Sequence, residues 1–104
     1  MISKTPKPPY YAVIFTSTLK KDDPEYHNTA VRMVELAEDQ DGFLGIESAR
    51  DELGISVSYW RDLDSIKKWK AHAEHRLAQE KGKKDWYATY MTRIALVEKE
   101  YGAI

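Results

Sequence analysis

The order of patterns along this chain constrains its fold more than any single residue does. It runs apolar strand, amphipathic helix, strand, tight turn, strand, tryptophan-rich helix, strand. That β-α-β-β-α-β order predicts an α+β, ferredoxin-like domain built on an antiparallel sheet. At 104 residues the chain has length for one such domain and none for a second. Residues 1–9 carry three prolines and two lysines and are expected to form an extended, disordered arm, leaving 10–104 as the domain.

Residues 10–19 are rich in β-branched and aromatic side chains and read as the first strand. Val13 and Phe15 fall on one face, Ala12 and Ile14 on the other. A strand with two apolar faces is covered on both. The helices supply one cover, and a second subunit is expected to supply the other. Asp23 is placed to cap the first helix, with Pro24 at its first position and Tyr26, Ala30, Met33, Val34 and Ala37 as its inward stripe. Asp41-Gly42 ends it. Residues 43–50 and 55–60 then flank Asp51-Glu52-Leu53-Gly54, a hairpin in which Gly54 is expected to take positive φ. Asp62 or Asp64 caps the second helix, whose stripe is Ile66, Trp69, Ala73 and Leu77. Lys81-Gly82-Lys83-Lys84 breaks it, Asp85-Trp86-Tyr87 is expected to make a short helical turn, and 90–98 reads as the last strand.

Sixteen Lys and Arg against seventeen Asp and Glu give a net charge of -1, so no basic field exists to attract nucleic acid. There is no cysteine, which removes disulfides, thiolate nucleophiles and thiolate metal sites. The first nine residues have no apolar core of a signal peptide, and no apolar run is long enough to span a membrane. A cytoplasmic protein with no membrane partner is expected.

Three groups of residues can carry chemistry. Trp60, Trp69 and Trp86, with Tyr59, Tyr87 and Tyr90, either fill the core or wall a cavity between sheet and second helix that holds a flat aromatic ligand. His72 and His75 lie three residues apart on the second helix, but no third ligand and no His-Glu-x-x-His spacing accompany them, so no metal is expected. His72 can border the pocket near Trp69 as a proton carrier, while His27 is expected to face solvent. Arg93 sits on an otherwise apolar strand, where it either pairs with a carboxylate or holds a substrate phenolate or carboxylate. The glycines are scattered, so a nucleotide-binding loop is not supported, and no nucleophile elbow marks a serine hydrolase.

The run Tyr59-Trp60-Arg61-Asp62-Leu63-Asp64-Ser65-Ile66-Lys67-Lys68-Trp69-Lys70 resembles the strand-to-helix segment of the antibiotic biosynthesis monooxygenase family. Gly42-Phe43-Leu44-Gly45, then Glu47-Ser48 and the hairpin, are similar to that family's pattern, so the resemblance covers roughly residues 10–100. It implies a dimeric α+β barrel in which two sheets pack face to face and each subunit keeps its own cavity. Some members oxidise polycyclic phenols to quinones with O2 and no cofactor; others bind and degrade haem. Trp69 matches, by its place nine residues after the strand tryptophan, the helix tryptophan of catalytic members. The resemblance implies a catalytic part for Trp69; beside it, His72 and Arg93 are expected as catalytic residues that stabilise the substrate anion, and Tyr59, Trp86 and Tyr90 as substrate-binding ones. Haem-degrading members carry an iron-ligating histidine about ten residues beyond that tryptophan; position 79 here is Gln, a poor iron ligand, so haem is demoted. The expected function is a cofactor-independent monooxygenase of an aromatic or polyketide-like small molecule. A binding dimer without turnover, or a haem-binding protein, are its alternatives.

Overall fold

A computed structural model of the chain describes residues 1–21, 23–79 and 86–104. The elements are β1 (Tyr10–Leu19), α1 (Pro24–Glu38), β2 (Phe43–Arg50), β3 (Gly54–Trp60), α2 (Leu63–Gln79) and β4 (Tyr87–Val97). The strands form one antiparallel sheet in the order β2-β3-β1-β4. This is the ferredoxin-like α+β architecture that the pattern predicts. The side chains of 75–79, His75 and Leu77 among them, and the expected break at 81–84 lie outside the described residues.

Local chemistry explains where the helices start and stop. The Asp23 carboxylate accepts the Glu25 backbone N–H at 2.9 Å, and Pro24 at the first position has no N–H to leave unpaired. Asp62 caps α2 by accepting the Ser65 N–H at 2.8 Å, which settles the choice between Asp62 and Asp64. Between them Gly42 takes φ +88°, and a β-carbon there would stand 2.6 Å from Ser65 Cβ. Only glycine meets both demands, so the turn into β2 closes directly under the start of α2.

Two expectations about turns need correction. Gly54 does not take positive φ: it is the first residue of β3, and a β-carbon on it would collide with the guanidinium of Arg50. Its role is to make room for that group. Tyr87 is not in a helical turn either, because it begins β4, where it pairs with Leu19 across a bulge.

Strand register sorts the sheet into two faces. On one lie Tyr11, Val13, Phe15 and Ser17 of β1, Gly54, Ser56, Ser58 and Trp60 of β3, and Tyr90, Thr92, Ile94 and Leu96 of β4. Both helices pack on this face, α1 chiefly over β2 and α2 over β3. Trp60 is fully buried there, against Phe43 and under α2 beside Ile66, which is also buried. The other face carries Tyr10, Ala12, Ile14, Val57, Tyr59, Met91, Arg93 and Ala95.

The arm at 1–9 makes hydrogen bonds to the sheet and to the C-terminal segment. The Ser3 N–H donates to Glu47 at 2.9 Å, its hydroxyl donates to the Ile46 carbonyl, and Thr5 donates to Glu100 at 2.9 Å. Tyr10 donates to the same Glu100 carboxylate. Prolines in the arm remove conformational freedom, so few hydrogen bonds suffice to hold it on the outer face.

Candidate functional site

The helix side of the sheet is not filled. Val13, Phe15, Ser56 and Ser58 are only half-buried, although they stand on the face the helices cover. Toward β4 the same face opens further: Tyr90 is 66% exposed, Ile94 52% and Leu96 47%. Serines stand down the middle of β3 where a close-packed core would put leucine or valine, so this strip of the helix side, the trough, is incompletely covered.

Aromatic side chains wall this trough at both ends. At one end Trp60 stacks on Trp69, with ring centroids 6.0 Å apart and 24° between planes, and donates its Nε1–H to Ser58 Oγ at 2.9 Å. Trp69 in turn meets His72 at 5.7 Å. His72 Nε2 is buried without a hydrogen-bond partner among the described residues, an unusual condition for a ring nitrogen. At the other end Tyr26 of α1 packs edge-on against Trp86 at 5.4 Å and Tyr87 at 5.6 Å, while Phe15 touches Tyr87 at 5.2 Å and Tyr90 at 6.0 Å. The Tyr87 hydroxyl donates to that of Tyr26 at 3.4 Å. Burial first, and then this neighbouring hydroxyl, hold Tyr87 well above the ordinary tyrosine range, so it is a neutral donor at any working pH.

Of the residues singled out from sequence, Trp69 and His72 meet at one end of the trough and Trp86 and Tyr90 lie at the other. Tyr59 and Arg93 do not join them. Arg93 pairs with Ile14, and Tyr59 with Ala12, on the face turned away from the helices. The reason is the two-residue period of a strand: Tyr90 and Arg93 are three apart, and Tyr59 adjoins Trp60, so each pair is split between faces. On the outer face the Tyr59 hydroxyl donates to Glu47 at 2.7 Å. Burial, then the Glu47 carboxylate, push Tyr59 up to about 12, and the same bond, with the Ser3 N–H, lowers Glu47.

Sequence reasoning misses the central place of Tyr26, which links both helix and strand aromatics, and of Arg50, whose guanidinium lies 5.6 Å from the centre of the Tyr26 ring. Tyr26 is visible as a helix-stripe residue, but its partner Tyr87 reads from sequence as part of a helical turn. Nothing in sequence points to Arg50 lying over Gly54.

The comparisons with known proteins agree with this geometry. Residues 9–81 match the model of the antibiotic biosynthesis monooxygenase family. The chain belongs to that family. It is 54% identical to the uncharacterized protein YqjZ of Bacillus subtilis over 101 residues, which cover 95% of this chain and 89% of that protein. A shorter stretch of 43 residues is 40% identical to a jasmonate monooxygenase of Pyricularia oryzae, covering 41% of this chain and 20% of that enzyme. In structure the chain is similar to SnoaB, a cofactor-independent oxygenase from Streptomyces nogalater, with TM-score 0.69 at 13% identity over 88% of this chain and 95% of that one. It is equally similar to a point mutant of MhuD with two manganese protoporphyrin IX molecules bound per active site, with TM-score 0.69 at 17% identity over 89% and 99% of the two chains. At such identities these two likenesses establish the shared fold.

Protoporphyrin in a relative of this fold raises the question of haem here. A haem iron takes an accessible axial side chain, most often a histidine nitrogen. His72 Nε2 is closed off within the packed end of the trough beside Trp69, so no iron reaches it as the ring stands. No group of three or more metal-ligating side chains occurs among the described residues. As the ring stands, His72 offers an iron no ligand, and the side chain of His75 lies outside the described residues.

Proposed function

We propose that this protein is a cofactor-independent monooxygenase that oxidises an aromatic, polyketide-like small molecule with O2 in the trough between sheet and helices. The observation that carries the reading is the unfilled helix side of the sheet, with half-buried Ser56 and Ser58 flanked by aromatic walls. SnoaB, which shares the fold, is described as a cofactor-independent oxygenase, and family membership makes oxygenation the natural class.

The chemistry asks little of the protein. A phenol that has lost its proton is electron-rich enough to reduce O2 directly. Replacing a ring C–H by C=O on such a phenol places one oxygen atom in the quinone and the other in water, and the substrate supplies all the electrons. The trough contributes an aromatic bed that holds the ring system beside O2. Trp69 packs a ring face. His72, beside it, takes the phenol proton at its free Nε2 once substrate opens that end of the trough. Trp86 and Tyr90 line the opposite end and set the length of ligand admitted.

The outer face belongs to a second copy of the chain. Half-buried Ile14 and Val57 adjoin Met91, which is 52% exposed, and a face of this kind packs against its like in a homodimer. Arg93 stands in this face, and its carboxylate partner is expected on the other subunit. A cytoplasmic location belongs to the same reading, as that of an enzyme acting on a small molecule. No helix among the described residues is long and apolar enough to cross a membrane.

The test is O2 uptake by haem-free, metal-free protein given an anthrone-like or hydroxyquinone substrate. Consumption that is lost in Trp69→Ala supports the reading. Ligand uptake without O2 consumption replaces it with a binding dimer. A sharp Soret band on titration with haemin, bleached by ascorbate, replaces it with haem chemistry at a histidine.

A further inference from the structure

At the end of the sheet away from Trp69, beside the first turns of α1, lies an open pocket of about 430 Å3 lined by Leu19, Lys21, His27, Arg50, Asp51 and Glu52. Its volume falls in the range of small-molecule sites, which run roughly 300–1,000 Å3. The residue that gives it chemistry is Arg50. The guanidinium donates to the Ser17 carbonyl at 3.3 Å and to the Ser17 hydroxyl, and Ser17 is itself buried. The Tyr26 ring lies 5.6 Å from Cζ, and Gly54 leaves the space in which the group rests.

Every one of these partners is neutral. Part-buried arginines are ordinarily paired with a carboxylate, because taking the charge from water otherwise goes uncompensated. Arg50 makes no ion pair with a described carboxylate, and its pocket neighbours Asp51 and Glu52 are exposed in the turn that follows it. Among the described residues only two of its five N–H groups are occupied, and Nε, which has no partner, is not fully buried. A planar donor fork pre-positioned by neutral contacts takes a carboxylate or a phosphate bidentately, and the flanking Asp51 and Glu52 favour the singly charged carboxylate.

We infer that this pocket is a second binding site, for a small aromatic carboxylic acid, with Arg50 receiving the carboxylate, Lys21 at the rim, and Leu19 against the hydrocarbon body. Lys21 and Arg50 are balanced by Asp51 and Glu52, so recognition rests on the local fork rather than on a general positive field. The pocket adjoins the Tyr26 end of the trough, but its acid-against-amide preference is read by binding alone and stands whether or not the trough turns over a substrate.

The experiment is calorimetric titration of the whole chain with 1-naphthoate and with its neutral isostere 1-naphthamide. Naphthoate is expected to bind at least about tenfold more tightly, the size of a charge-assisted pair. Arg50→Gln, which keeps a donor for Ser17 and loses the charge, abolishes that preference. Gly54→Ala pushes the guanidinium aside while every charge remains, and it too weakens naphthoate by about tenfold. Exposed Lys21→Gln costs about two- to threefold. Should Arg50→Gln fail to fold, Gly54→Ala and Lys21→Gln still decide the matter. Equal affinity for acid and amide, no naphthoate binding at millimolar concentration, or undiminished affinity in the Gly54→Ala protein overturns the assignment.

Discussion

Trp60 and Trp69 stack on one another, yet their burial separates their roles. Trp60 is sealed between Phe43 and α2, whereas Trp69 is half-buried and shows a face to the trough. Trp60→Ala is therefore expected to cost about 3–5 kcal/mol in chemical denaturation. Trp69→Phe keeps most of the packing and is expected to leave the melting curve near that of the parent while lowering turnover at least about tenfold, the loss of one well-placed contact at the transition state. If both variants lose stability equally and the Trp69→Phe protein keeps full turnover, Trp69 is core and nothing more. On the outer face, the Tyr59–Glu47 pair ties stability to pH at both extremes. Glu47 is held below its usual value when folded, so its contribution is present above the ordinary glutamate pKa of about 4.3 and lost as pH falls through the lower folded value. Tyr59, raised to about 12, contributes below about 10 and loses that contribution as pH rises through 12. Glu47→Gln is expected to flatten the acid limb of a plot of melting temperature against pH, and an unchanged acid limb contradicts the pairing.

The elements show how much of the molecule is legible in the sequence, and where legibility stops. Helix caps, the hydrophobic stripes and three of the four strand spans follow from local chemistry, because an aspartate before a proline or an alternating apolar run acts within a few residues. Gly54 misleads because its constraint comes from Arg50, which meets it across the β2–β3 hairpin, while Tyr87 misleads because a strand start and a helical turn look alike over three residues. The candidate site is half legible. Trp69 and His72 share one helix and their proximity follows from its period, whereas grouping Tyr59 and Arg93 with them by chemistry runs against the two-residue period of their strands. Gly42 is the position where an element boundary is most tightly specified. Gly42→Ala meets both positive φ and the Ser65 side chain, and is expected to lower stability by about 1–3 kcal/mol in thermal unfolding. A neutral result there means that α2 can move away from the turn without loss.

At the scale of the whole molecule, the sheet separates a helix-covered face, where the proposed chemistry sits, from an outer face proposed for association. The arm and Glu100 close one end of that outer face through Tyr10 and Thr5, which confines the free apolar area to Ile14, Val57, Ile55 and Met91. Sedimentation at micromolar concentration is expected to give a homodimer, and Val57→Asp, which buries an unpaired carboxylate at the centre of the face, is expected to give a folded monomer. A parent chain that sediments as a monomer removes the association from the account. The measurement that bears most directly on function is O2 consumption by protein stripped of haem and metal, with an anthrone-like substrate and isotopically labelled O2. The account predicts uptake of one O2 per molecule oxidised, with one labelled atom in the quinone product and the other in water. Binding of the substrate without O2 consumption, or consumption that begins only when haemin is added, contradicts it.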